Sequence, residues 1–319
     1  MNDFLRLLRS LLRRYGYDVK KYYEYNLLPL NNQASFNQIA RLAEAAERDQ
    51  RSDDAGDPGL QRLNVCLRTC LRDRPGMAAQ PPGPTGADRE EIALRCLKSL
   101  IASINHALRG DHGLEITLTV FDDHSTVDAH AKIVESCEKA SCAREVRTTR
   151  EPGQGASLLE QFEFARENRG LFYFCEDDYL HEPSAIAEMH GFYRNVYHTC
   201  GTHLVIHPQE HEFLYTKAIY PAYLLLGEHR HWRTISHATH VLFTHADVVR
   251  KYWRYFENTR HVGDRSKRRL GSEAKTTNLL FDHLPGFAPI PALAAHMQTA
   301  GSLPPFFNWR ALWEQNRPD

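Results

Sequence analysis

Residues 171–179 read LFYFCEDDY, an unbroken apolar run that passes straight into three consecutive acids. A run this short and this aromatic predicts a strand buried on both faces over 171–175 rather than a helix. Residues 115–121 (EITLTVF) have the same character and end in a second acidic group, Asp122-Asp123-His124-Ser125. A third strand is expected over 63–70, and a fourth starts at Val146. Helical spacing over 90–108, 126–139 and 156–168 separates them; in the first of these Ile92, Leu94, Leu97, Leu100, Ile101 and Ile104 form the inner face. Strands that alternate with helices predict an α/β fold, a doubly wound and mostly parallel sheet with helices on both faces. Right-handed crossovers then place every strand's carboxyl end on one edge, outside which ligands bind.

Five carboxylates, Asp122, Asp123, Glu176, Asp177 and Asp178, should therefore crowd one edge, an arrangement that repels itself unless something compensates it. Capping of the next helix by Ser125 or Asp123 could explain the first group alone. It does not explain three acids leaving an apolar strand. A hard divalent cation, Mn²⁺ or Mg²⁺, with a diphosphate completing its shell, meets the requirement. Between the two groups, Glu151-Pro152-Gly153-Gln154-Gly155-Ala156 is a glycine-containing turn that opens a helix. Gly153 and Gly155 there would let the backbone approach a phosphate, although such a turn alone is common.

The rest of the chain bounds the reading. Among its 319 residues, 39 Lys+Arg against 40 Asp+Glu leave a net charge of −1, which argues against a dedicated nucleic-acid binder. No run approaches the ~20 apolar residues of a membrane span, and no secretory signal is visible. Seven cysteines without a Cys-x-x-Cys fit reduced thiols in the cytoplasm. The histidines crowd at His229, His231, His237, His240 and His245, where scattered surface and groove imidazoles are favoured over a zinc site. Residues 1–26 carry an apolar helical stripe opposite Arg6, Arg9 and Arg13. Two readings stand for it: peripheral contact with the inner face of a membrane, or docking on the body of the protein. With a second helix over 36–48, residues 1–60 are expected to form an N-terminal helical extension, and 61–319 the main domain. Residues 72–87, rich in Pro and Gly, are expected to be a mobile loop. The segment 245–257 reads as one structural helix. Trp232, among Arg230, His231 and Arg233, reads either as a sugar groove lined by Trp232 and Arg233 or as a loop anchor. Phe306, Phe307, Trp309 and Trp313 read as core and lid packing.

Taken in order and spacing, DDHST at 122–126, REPGQGA at 150–156 and FCEDDY at 174–179 resemble a family-2-type glycosyltransferase with a GT-A fold, over roughly residues 62–310. The resemblance implies a nucleotide-binding half, 61–180, and an acceptor-binding half, 181–319. It implies that Thr69, Asp122, Asp123 and Asp177, with Gly153 and Gly155, meet the nucleotide. Asp178, Glu176 and the C-terminal His296 would hold the metal, with Glu176 a departure from the commoner first acid of the Asp-x-Asp motif. Glu273, in Gly271-Ser272-Glu273-Ala274, would be the general base; Ala274 removes the second acid usual there, and Asp264 is the reserve. The implied reaction is metal-dependent, inverting transfer from a nucleotide-diphosphate sugar, UDP-sugars favoured, to a glycan or lipid-linked glycan hydroxyl, in bacterial surface polysaccharide or glycoconjugate biosynthesis. Two alternatives stay open: a sugar-phosphate nucleotidyltransferase, whose basic loop would use Arg72, Arg74 and Gly76, and a non-catalytic scaffold of the same fold.

Overall fold

Strict alternation along the first strands shows how the sheet is covered. Leu63, Val65 and Leu67 of β1 (Arg62–Thr69) join one apolar cluster and Cys66 joins the other. In β4 (Leu171–Glu176), Leu171, Tyr173 and Cys175 face the first cluster while Phe172 and Phe174 face the second. A pleated strand sends successive side chains to opposite faces, so both faces of this sheet are buried, as the unbroken apolar runs require. The computed structural model describes residues 8, 11–12, 59–72, 83–111, 113–211, 222–264 and 266–317. The helices expected over 1–26 and 36–48 lie outside the described residues, apart from the helical Leu8, Leu11 and Leu12; so does 73–82 of the expected loop.

Parallel strands β1, β2 (Glu115–Asp122), β3 (Ala143–Thr148) and β4 alternate with α1 (Arg89–Gly110), α2 (Val127–Cys137) and α3 (Gln154–Glu167). Each helix starts where its sequence provides a start. Asp88 and Thr126 cap α1 and α2 through their side chains, satisfying backbone donors that would otherwise have no partner. The chain continues through β5 (Tyr179–His181), α4 (Ala185–Cys200), β6 (Val205–Ile206), β7 (Leu224–Leu226), β8 (His231–Ile235) and β9 (Leu242–His245). Then follow α5 (Ala246–Lys251), α6 (Trp253–Phe256), β10 (Gly286–Ile290) and β11 (Ala294–His296). Among the described residues nine strands form one sheet in the order β3-β2-β1-β4-β9-β6-β10-β8-β7, and β5 pairs with β11 in a small second sheet. The fold is α/β with helices on both faces, and it is GT-A-like.

The structure modifies three expectations. The sheet is mixed: β9 and β8 run opposite to the other strands, so the common carboxyl edge belongs to β1–β4, β6, β10 and β7 rather than to every strand. The helix expected over 245–257 breaks at Tyr252 (φ −110°, ψ 25°) into α5 and α6 and tightens into a 3₁₀ turn over Glu257–His261. Trp232 lines no groove. It is 2% exposed and lies in the core, stacked on Phe192 at 4.0 Å between ring centroids. Position 232 of β8 points to the sheet face that α4 covers, and the pleat turns Arg233, also buried, the other way. The anchoring role that the sequence assigned to this loop falls to Arg230, which donates to Glu188 and Glu182 on and before α4.

Candidate active site

Strand register brings the two acidic groups together. Thr69 pairs with Asp122 on one side of β1, and Arg68 with Glu176 on the other, so the tips of β2, β1 and β4 stand side by side. The compensation that five carboxylates demand comes largely from the protein itself. The guanidinium of Arg68, buried in the strand, donates to Glu176. Arg89 at the start of α1 stands 3.8 Å from Asp177, and Arg72 donates to Asp123 at 3.2 Å. His130 Nδ1 lies 2.6 Å from Asp122, and His296 Nε2 lies 3.1 Å from Asp178. Each acid has a cationic or imidazole partner, which a count of acids alone could not reveal.

These partners divide the acids by role. Asp122 is engaged at both oxygens, with Ser125 on Oδ1 and His130 on Oδ2, and it organises the turn after β2. Asp123 accepts from the Gly153 N–H at 2.8 Å and so ties the glycine turn to the strand tip. Thr69 and the Cys70 N–H both donate to Asp177 Oδ2. Burial pushes Asp177 up from the usual carboxylate range, with Arg89 opposing and the neighbouring charge of Asp178 adding to the rise. Gly155 has another use from the one expected. A Cβ there would stand 2.5 Å from the Arg260 carbonyl, so the glycine lets α3 pack on the turn at 260–262. Gly271 meets the same turn from the other side, with a Cβ position 2.4 Å from His261. That turn thus links the start of α3 to the segment carrying Glu273.

His296 reaches Asp178 because β11 pairs antiparallel with β5, placing His296 opposite Tyr179 and stacked on it at 4.6 Å. The Met297 N–H donates to the Asp178 carbonyl, and Gln209 accepts from the His296 N–H. Burial works against charge on both members of this pair, yet each holds the other ionised: Asp178 falls below, and His296 rises above, its ordinary value. Glu176, Asp178 and His296 each offer a ligand atom within 4.8 Å of the others. Asp178 Oδ1 is buried and has no hydrogen-bond partner. A carboxylate oxygen left without a donor, beside an imidazole and a second carboxylate, fits a divalent cation.

Glu273 opens a 3₁₀ turn, Glu273–Lys275, rather than a helix, and its side chain is 48% exposed. His240 Nδ1 stands 3.9 Å from it, and the Nε2 of that ring meets Thr276. Burial lowers His240, with the charges of Glu273 and Glu176 opposing the fall and that of Arg68 adding to it. The adjacent Thr239 meets the Tyr179 hydroxyl at 3.0 Å. Asp264 instead accepts from the Ser266 N–H and hydroxyl in a surface turn. Arg68, Arg89 and His130 are the residues that sequence reasoning missed; Arg72 and His240 were named there, but for a nucleotidyltransferase loop and as one of a histidine crowd. An arginine near the carboxyl end of a strand with Leu63, Val65, Cys66 and Leu67 was the available signal for Arg68.

The edge thus carries acids on the tips of β2 and β4, on either side of β1, and a histidine brought to them by the small β5–β11 sheet. The chain belongs to glycosyl transferase family 2: the model of that family (Glycosyl transferase family 2) matches residues 87–256, more than half of the sequence. By family it is therefore a glycosyltransferase. Among solved structures the chain is similar to TarS of S. aureus, at 10% identity and a TM-score of 0.44, over 71% of this chain and 35% of that one. It is also similar to a UDP-glucose pyrophosphorylase complexed with UDP-glucose, at 11% identity and a TM-score of 0.40, over 80% and 97% of the two chains. The chain thus spans about a third of the length of TarS. No curated protein matches it. No helix among the described residues is long and apolar enough to cross a membrane.

Proposed function

We propose that this glycosyltransferase moves a sugar from a nucleotide diphosphate, UDP favoured, to a hydroxyl on a glycan or lipid-linked glycan, with inversion and with Mn²⁺ or Mg²⁺. The observation that carries the reading is the Asp178 carboxylate, with one oxygen on His296 and the other buried without a partner, beside Glu176 at the tip of β4. Glu176, Asp178 and His296 would hold the cation, which when bound offsets the charge that develops on the leaving diphosphate. The chain's own residues do the rest. Thr69 and Arg89 hold Asp177 toward the ribose, and Asp123 fixes the Gly153 turn at the nucleotide edge. Glu273, half-exposed and free to meet an incoming acceptor, takes the hydroxyl proton as the oxygen attacks the anomeric carbon. Direct displacement needs no protein nucleophile.

In this reading 61–180 serves the nucleotide and 181–319 the acceptor, in bacterial surface glycan or glycoconjugate synthesis. The setting is the cytoplasm, with 1–26 as the segment for any membrane contact. Cys66, Cys70, Cys96, Cys137, Cys142 and Cys175 are free thiols, which accords with a reducing compartment. The test is nucleotide release from a panel of nucleotide sugars, with Mn²⁺, with Mg²⁺ and with chelator. Metal-dependent release from one sugar nucleotide is expected; release that is unchanged by chelator would remove the metal from the reading.

A further inference from the structure

At the opposite end of the sheet, three side chains gather that the transfer reaction does not use. β9 runs antiparallel to β4, so His245 stands opposite Leu171, the first residue of β4, whereas Glu176 is its last. At ~3.3 Å per residue, that is roughly 16 Å along the strand from the acidic tip. His203 lies in the turn between α4 and β6. Its Nδ1 is 2.9 Å from the Tyr193 hydroxyl, and its Nε2 is 3.8 Å from Asp247 Oδ2. His245 Nδ1 lies 3.4 Å from that same oxygen, while Arg250 holds the other oxygen of Asp247 at 2.6 Å. The two imidazoles stack at 4.4 Å, and ligand atoms of all three residues lie within 4.8 Å of one another.

This spacing is close to what a tetrahedral cation imposes. With metal–ligand bonds of about 2.0–2.1 Å, two ligand atoms stand roughly 3.3 Å apart, and the two histidine-to-aspartate separations are 3.4 and 3.8 Å. Tyr193 on the far nitrogen of His203 orients the ring, as the outer partner of a ligating histidine does. Burial, with the neighbouring His245 ring, holds His203 down at about 4, so it offers a neutral lone pair at neutral pH. Asp247 is exposed, leaving a path for entry and a position for water.

We propose that His203, His245 and Asp247 form a second cation site, for Zn²⁺ or a similar imidazole-preferring divalent ion, that staples the α4–β6 turn to the start of α5. Two imidazoles and one carboxylate select such an ion over Mg²⁺, which prefers oxygen ligands. Capture has a cost: His245 Nδ1 now accepts from the Asp247 N–H at 3.1 Å, and the stacked rings must splay to converge on one ion. The affinity expected is accordingly below that of a closed four-ligand zinc site.

The test titrates the metal-free full chain with Zn²⁺ alone and measures bound metal after dialysis, together with the melting temperature. Asp178→Asn serves as the parent, so that the acidic edge does not contribute. That parent should retain about one equivalent of Zn²⁺ and melt higher with it, because a ligand that prefers the folded state stabilises it. Adding Asp247→Asn, at an exposed position, or His203→Gln should weaken that binding by about tenfold or more, on the scale of lost ligand-sphere interactions. Asp247→Asn alone should leave transferase activity unchanged. A parent that retains no zinc, or an Asp247→Asn variant that binds it as tightly as the parent, overturns the proposal. The readout needs no turnover, so it stands apart from the sugar-transfer reading.

Discussion

The two sides of the candidate site are built differently. At the tips of β1, β2 and β4 each carboxylate is held by a partner on a neighbouring element, as Asp123 is by Arg72 and Asp177 by Thr69 and Arg89. Their positions follow from strand register, which a parallel ladder fixes residue by residue. Across from them Glu273 sits on a 3₁₀ turn, half-exposed, with His240 Nδ1 at 3.9 Å. The first side is preorganised and the second is adjustable. Groups that must face a fixed charge distribution benefit from the former, while residues that meet variable partners are found on surface turns carried by a rigid scaffold.

The comparison breaks most sharply at Asp178. Asp178→Asn keeps the shape but removes a charge from the rigid side, and transfer should fall by about three orders of magnitude or more, with metal-dependent nucleotide binding lost in calorimetry. Glu273→Gln should cut kcat by about 10²-fold or more, the scale of a lost general base, with nucleotide affinity nearly intact; equal loss of both would place Glu273 on the nucleotide side instead. Trp232→Ala should cost about 3–5 kcal/mol of stability through the vacated core volume, read as a lower melting temperature, while the KM for the donor stays near wild type. A sugar-groove role would invert that pattern.

The smallest effect is in pH. His296 stays protonated above its ordinary value, so a cation must expel that proton, and metal affinity should decline as pH falls through the window just above ~6.5. Without metal the sign reverses. The raised value of His296 contributes stability that is fully present below ~6.5 and is lost as pH rises through the folded-state value. Melting curves with and without Mn²⁺ should therefore shift in opposite directions across neutrality.

Legibility followed the same division. Most strands and helices of residues 62–176 could be read from apolar runs and helical spacing, because β1, β2 and β4 are buried on both faces and Asp88 and Thr126 cap α1 and α2. The acids at 122–123 and 176–178 were legible for the same reason, since they end those runs. Their compensating partners were not. Arg89 and His130 lie on helices, and only the packing of α1 and α2 brings them to the strand tips. Trp232 misled because aromatic residues among arginines look alike in a groove and in a two-sided strand; the pairing of β8 with β10 decides between them, and no local pattern encodes that pairing. The antiparallel half hid for a related reason, in that β6, β7 and β9 are two to four residues long and leave little periodicity to read.

The contact between Asp178 and His296 spans 118 residues of sequence. During synthesis the acid emerges long before its imidazole, and a contact of such separation closes late because the intervening chain must first be ordered. Until β11 docks on β5, Asp178 lacks its imidazole and has only the charges of Arg68 and Arg89 to offset its own, so the ion-binding edge is unfinished. The site is therefore complete only when the two ends of the sequence's catalytic half are both in place, so truncation before β11 removes chemistry while leaving the β1–β4 strand tips intact in sequence.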